Sequence, residues 1–163
     1  MKPAVERVQA AIAERGLDRR VIELEKTART SREAAEALGV EVAQIAKSLV
    51  FTVDGAPIMV VASGVNRVDE GKVGRLAGGI VRRADPDVVR QATGFAIGGI
   101  PPFGHASKLP IWIDVDLGRH ELIYAAAGVP ECVFPLTLDE LVQGTGGTVA
   151  DVKQDPPGGG GRP

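Results

Sequence analysis

The sequence predicts an α+β domain in which helices surround a mixed, curved or barrel-like β-sheet. Three observations carry that prediction. Helical and strand patterns follow one another without the strict strand–helix–strand alternation of a doubly wound fold. An Asp54-Gly55 pair stands between two apolar runs of β-formers and marks an antiparallel hairpin in the first half of the chain. Aromatic residues make up only 4% of a chain that is 44% hydrophobic, so the core must be built mainly from Val, Ile, Leu and Ala.

The elements follow in order. Val5, Val8 and Ile12 keep helical spacing through Arg15, and Gly16 stops that helix. Val21–Leu24 reads as a short strand. Thr30 with Glu33 forms a capping box for a helix running through Ala34, Ala35 and Leu38 to Gly39. Val42–Ile45 reads as one helical turn. Lys47–Val53 and Pro57–Ala62 are the hairpin strands, with Ala56-Pro57 as a possible lengthening of the turn. A helix over Asp69–Leu76 ends at Gly78-Gly79, a strand starts at Ile80-Val81, and Asp85-Pro86 caps a helix that Gly94 ends. Ile111–Val115, Leu122–Ala127 and the short Val133–Leu136 read as strands. Thr137 caps a helix through Leu138, Leu141 and Val142, and Thr148–Val152 is the last strand. Residues 1–155 are expected to be one domain, and the Gly/Pro-rich 156–163 a disordered tail.

Composition narrows the function. The net charge of −2 excludes a general nucleic-acid coat. The charges are uneven, with 15 Lys/Arg against 13 Asp/Glu in residues 1–90 and 4 against 8 thereafter, a bias that suits limited phosphate contact. Cys132 is the only cysteine and His105 and His120 the only histidines, which excludes an intrachain disulfide and argues against a structural zinc site. No apolar run approaches the roughly 20 residues of a membrane span, and no signal-peptide segment opens the chain, so a cytoplasmic protein is expected. A phosphate-binding P-loop and a nucleophile elbow are both missing, and no cofactor is called for.

The stretch Ile97-Gly98-Gly99-Ile100-Pro101-Pro102-Phe103-Gly104-His105 is the strongest local anomaly. Two prolines stiffen it, and the glycines leave bare backbone whose N–H groups suit a carbonyl or phosphate oxygen. His105 stands where it can reach a ligand. Period two places Lys47, Leu49, Phe51 and Val53 on one face of their strand, an ammonium at the end of an apolar row. That arrangement fits either a lysine snorkelling to water or a cation aimed into a cleft lined by Leu49 and Phe51. Asp114, between Ile113 and Val115, faces either solvent or a cleft in which it accepts an amine or pairs with Lys47. Cys132 with His105 is a conceivable nucleophile pair, although a buried cysteine beside an apolar strand is the plainer reading. These residues describe a pocket for a polar ligand and leave the reaction open.

Taken together, Thr30–Val40, Ile45-Ala46-Lys47-Ser48-Leu49-Val50-Phe51 and Gly98-Gly99-Ile100-Pro101 resemble the YbaK/EbsC family. These are aminoacyl-tRNA deacylases related to the editing domain inserted in bacterial prolyl-tRNA synthetases. The similarity spans roughly residues 20–150 with the segments in the family's order. It implies a freestanding enzyme that hydrolyses the ester of a mischarged tRNA. By the resemblance, Lys47 binds and orients the aminoacyl-adenosine end, and the Gly98–Pro101 backbone, through Gly98, Gly99, Ile100 and Pro101, contacts the ester region. Leu49, Phe51, His105 and Asp114 are the accompanying substrate-binding candidates, without a metal. The implied partners are the acceptor end of aminoacyl-tRNA and, as a candidate, prolyl-tRNA synthetase. The alternative on the same fold is a non-catalytic module that binds the acceptor end or an aminoacyl ligand.

Overall fold

The computed structural model describes residues 2–25 and 28–156. Apart from Pro156, the expected disordered tail lies outside the described residues. Five helices surround a mixed eight-stranded sheet, the predicted class of fold. The helices are α1 (Pro3–Glu14), α2 (Ser31–Leu38), α3 (Glu70–Ala77), α4 (Pro86–Thr93) and α5 (Leu138–Thr145). The strands are β1 (Ile22–Glu23), β2 (Ile45–Val53), β3 (Ala56–Ser63), β4 (Val81–Arg83), β5 (Ile111–Asp114), β6 (Ile123–Ala126), β7 (Cys132–Leu136) and β8 (Thr148–Ala150). No helix of the described residues is long and apolar enough to cross a membrane.

Local chemistry sets the ends of these elements. Thr30 accepts the Glu33 N–H while Glu33 reaches back to Thr30, and Thr137 makes the same box with Glu140. Asp69 and Asp85 cap α3 and α4 with their carboxylates. The β2–β3 hairpin closes through Asp54 and Gly55 alone, both at positive φ (48° and 89°), as a two-residue turn of the favoured hand requires. Ala56 and Pro57 therefore belong to β3 and do not lengthen the turn. Pro57 faces Thr52 at a position whose N–H would point away from β2, so the missing donor costs no ladder bond. Asp54 also ties the turn to the start of β4, exchanging bonds with Ile80.

Strand order runs β1-β7-β6-β2-β3-β5-β8, with β4 joined to β2 off this path. The β2–β3, β2–β4, β6–β7 and β1–β7 pairs are antiparallel, whereas β2–β6, β3–β5 and β5–β8 are parallel. The main core lies on one face, where Val8, Ile12, Met59, Ile113, Leu117, Phe134 and Leu141 are buried together, with Phe103 tilted against Phe134 at 5.6 Å. Two smaller clusters lie beneath other helices. Ala34, Ala35 and Ile45 form one at α2, and Phe51, Ile58, Val60 and Val73 form the other at α3.

The sheet has one gap, and it determines the site. β2 begins at Ile45, two residues before the expected start, so Lys47 lies inside the strand. Gly64 N–H donates to Ile45 C=O, which turns the peptide groups of Lys47, Leu49 and Phe51 toward β3. Those of Ala46, Ser48 and Val50 turn to the opposite edge. Along that edge β6 covers only Ile45 and Ala46, and β4 only Phe51 to Val53. Val50 C=O still accepts from Ala84 N–H at 3.4 Å just past β4, so between the two strands the sheet is notched at Lys47–Leu49.

Candidate functional site

A cavity of about 410 Å³ fills this notch. Residues Ile45–Phe51 of β2 form its floor. Arg83 and Ala84 at the end of β4 bound one side, and Tyr124 and Ala126 of β6 bound the other. Ala28–Ser31 and Ala34 bring in the capped start of α2, while Ile97, Gly98, Ile100 and Pro130 close the far wall. Most of this surface is aliphatic. Its charged members among the described residues are Arg29, Lys47 and Arg83, with no carboxylate on the wall and no ion pair recorded for any of the three. Such a cavity suits a ligand with an apolar portion and an anionic portion.

Lys47 is half-buried, with its pKa pushed below that of an ordinary lysine. Burial is the main cause; repulsion from Arg67 and Arg83 adds to it, and Asp114 acts in the opposite direction. A cation held short of solvent and short of a paired carboxylate interacts strongly with an oxygen brought beside it. Leu49 and Phe51 line the same cavity, as do Ala46, Ser48 and Val50 of the opposite face of the strand.

The glycine–proline loop is built differently from the bare-backbone expectation. Gly98 and Ile100 do line the cavity, and Gly98 sits at φ +97°. Gly99 faces away. Its N–H donates to Ala96 C=O, and its own C=O accepts from Gly128 N–H at 2.8 Å. A β-carbon on Gly99 would lie 2.6 Å from Gly128 O, so this glycine serves a close backbone crossing. The carbonyl of Pro101 accepts Nε2–H of His105 at 2.7 Å. Gly99 and Pro101 thus hold the loop, and only Gly98 and Ile100 of the four present it to the cavity.

Two other candidates lie off the cavity wall. His105 is part-buried, folded back to brace Pro101, and its pKa is lowered chiefly by burial. Asp114 faces neither solvent nor the cleft. It is fully buried, with Oδ2 accepting from Ser63 N–H and Asn66 Nδ2 and Oδ1 accepting from Asp116 N–H. The reason is packing at the strand end: β5 stops at Asp114, and Ser63 at the end of β3, Asn66 just beyond it and Asp116 in the following turn close around the carboxylate. Asp114 reaches the site only through its field on Lys47. Cys132 is buried, burial pushes its thiol pKa up, and it is not on the cavity wall, so the Cys132–His105 pairing is not present.

The structure adds residues that the sequence pattern did not single out. Arg29, Ser48, Arg83, Tyr124 and Pro130 come together only because β2, β4, β6 and the start of α2 meet at the notch. A signal existed for Arg29 alone, which precedes the Thr30 capping box and hence stands beside a helix N-terminus.

Comparison with known proteins identifies the family and the fold. Residues 25–143 match the family model of the aminoacyl-tRNA editing domain. The uncharacterized protein YwhH of Bacillus subtilis is 37% identical over 122 residues, covering 74% of this chain and 78% of that protein. The proline–tRNA ligase of Maridesulfovibrio salexigens is 33% identical over 95 residues, covering 58% of this chain but only 15% of the ligase. Among solved structures, a candidate trans-editing enzyme for prolyl tRNA synthetase superposes with a TM-score of 0.91 at 46% identity, over 95% of this chain and 99% of its own.

Proposed function

The chain belongs to the aminoacyl-tRNA editing domain family, and from that premise we propose that it hydrolyses the ester bond of mischarged aminoacyl-tRNA in trans. The proposed substrate is proline tRNA carrying a small noncognate amino acid, in keeping with the similarity to a candidate trans-editing enzyme for prolyl tRNA synthetase. The cytoplasm, where charged tRNA is used, is its proposed place of work. The observation that carries the proposal is the half-buried, unpaired Lys47 on the wall of an aliphatic cavity free of carboxylates among the described residues.

The chemistry needs little more. A synthetase pocket separates substrates differing by one methylene by only about 1–3 kcal/mol, so a second, hydrolytic sieve has a purpose. An aminoacyl ester is already activated, and the cavity wall holds neither histidine nor cysteine among the described residues. In this reading the residues position the ester for water or the neighbouring ribose hydroxyl. Lys47 clamps an oxygen of the aminoacyl-adenosine end, Leu49 and Phe51 limit the side chain admitted, and Gly98 and Ile100 shape the opposite wall. Asp114 and His105 support from outside, the first by its field on Lys47 and the second through the loop.

Deacylation of Ala-, Cys-, Ser- and Pro-charged proline tRNA, with K47A as control, tests the proposal. One noncognate ester should be lost while Pro-tRNA is spared, and K47A should lower kcat/KM by at least about 10²-fold with an almost unchanged thermal midpoint. Tight binding of charged tRNA with no ester loss above background would replace the enzyme by a binding module.

A further inference from the structure

Along the outer edge of β2, Ser48 alone has neither of its main-chain groups paired. Its N–H and C=O point away from β3, and neither neighbouring strand reaches them. Pairing with β6 stops at Ala46 and Ala125, one step before Ala126 C=O would accept Ser48 N–H. On the other side, the β4 register sets Phe51 against Arg83, and continued along the strand it brings Pro86 opposite Ser48. Pro86 has no N–H to give and already begins α4. No turn or loop bond takes the place of these pairs among the described residues. The Ser48 hydroxyl is not on offer to a ligand: it is closed to solvent, on the face of β2 that buries Ala46 and Val50. Ser48 is nevertheless part-exposed on the cavity floor, so the polar atoms it can show there are those of the main chain.

We propose that the aminoacyl group of the substrate enters this gap as the missing partner of Ser48: Ser48 N–H donates to the ester carbonyl oxygen, and Ser48 C=O accepts an N–H of the α-amino group. This inference rests on the deacylase reading and deepens it by naming how the acyl half is held. In an antiparallel ladder, two hydrogen-bonded residues exchange both N–H···O bonds. An α-amino acid ester carries the matching N–H and C=O on a single unit. The gap is one residue wide, because Ala46 pairs with β6 and Val50 C=O accepts from Ala84 N–H, so it fits one amino acid and not a longer strand. The wall holds no carboxylate among the described residues, which leaves neutral oxygens such as this carbonyl to take the amino group. Attack on the ester carbon places negative charge on the carbonyl oxygen. A donor fixed by the strand beside Lys47 then acts where that charge develops.

Two measurements test the pairing. The first varies the ester on the unaltered protein: proline tRNA carrying alanine, propanoic acid (no amino group) or β-alanine (amino group one carbon further out). Each rate is divided by that of the spontaneous hydrolysis of the same ester. The propanoyl and β-alanyl esters should fall at least about 10-fold below the alanyl ester in normalised kcat/KM, and equal values overturn the pairing. The second replaces Ser48 by glyceric acid, its α-hydroxy counterpart, which keeps the side chain and puts an ester oxygen in place of the N–H. With both chains assayed well below their thermal midpoints, kcat/KM should drop on the order of 10²-fold. A value within about threefold of wild type overturns the N–H contact, and the deacylase reading stands as long as turnover depends on Lys47. Should wild type turn over no charged tRNA, that reading fails, and binding decides the pairing. Tighter binding of a non-hydrolysable 3′-alanylamido-adenosine than of its propanoyl counterpart supports it, and equal affinity overturns it.

Discussion

Lys47 works at a site that disfavours its own charge, and its neighbours make that measurable. Arg67 lowers its pKa through space, after burial the largest contribution. Removing a nearby cation relieves repulsion of the ammonium, so R67Q should raise the Lys47 pKa and carry the alkaline fall of ligand affinity to higher pH. Titrating affinity for a non-hydrolysable aminoacyl-adenosine in wild type and R67Q checks this; coincident alkaline limbs would mean that the titrating group is not Lys47. At this scale the sequence was unevenly readable. Period two set Leu49 and Phe51 on one face, in a different core cluster from Ala46 and Val50, because that rule needs only the strand itself. The sequence misplaced Asp114, expected at solvent or a cleft and instead closed in by Ser63, Asn66 and Asp116, and His105, expected at a ligand and instead turned back to its own loop. The first is a consequence of long-range packing, the second of a bond within the loop itself.

Among the elements, the loop at 97–105 is held at its crossing with Gly128. The N–H of Gly128 donates to Gly99 C=O, and a methyl on Gly99 would press on Gly128 O and Val129 Cα, at 2.6 and 2.8 Å. Both are backbone atoms and yield only if a segment moves. G99A should therefore cost about 1–3 kcal/mol, read as a lower urea midpoint at unchanged slope. Since Gly98 and Ile100 ride on that segment, kcat/KM should fall with it, although Gly99 itself touches no ligand. Full activity with reduced stability would separate the loop's position from the site. The helices posed no such difficulty. Caps at Thr30 and Thr137 and left-handed glycines at Gly39, Gly78 and Gly94 are local signals, and each falls where the chain predicts. The notch is not local. It exists because β4 and β6, far apart in sequence, divide one edge of β2 without meeting.

Across the whole molecule, the charge distribution suits the proposed substrate, a polyanion touching one place. The chain carries a net charge of −2, yet the cavity wall is purely cationic among its described charged residues, and Arg67 acts on Lys47 from close by. Overall negative charge discourages indiscriminate binding to RNA, while Arg29 and Arg83, both exposed at the cavity, can each meet a phosphate near the end of an acceptor strand. Each phosphate neutralised on a single strand contributes about −0.7 to the slope of log affinity against log salt. The R29Q/R83Q double variant should then flatten the slope by about 1.4 and weaken tRNA binding most at low salt. Because neither residue is assigned to the ester, kcat at saturating tRNA should stay close to wild type. Measuring affinity at several salt concentrations gives the slope directly. An unchanged slope would place the phosphates elsewhere on the surface. A flattened slope accompanied by a fall in saturated kcat would mean that these arginines also orient the ester, joining the electrostatic rim to the chemistry of the notch.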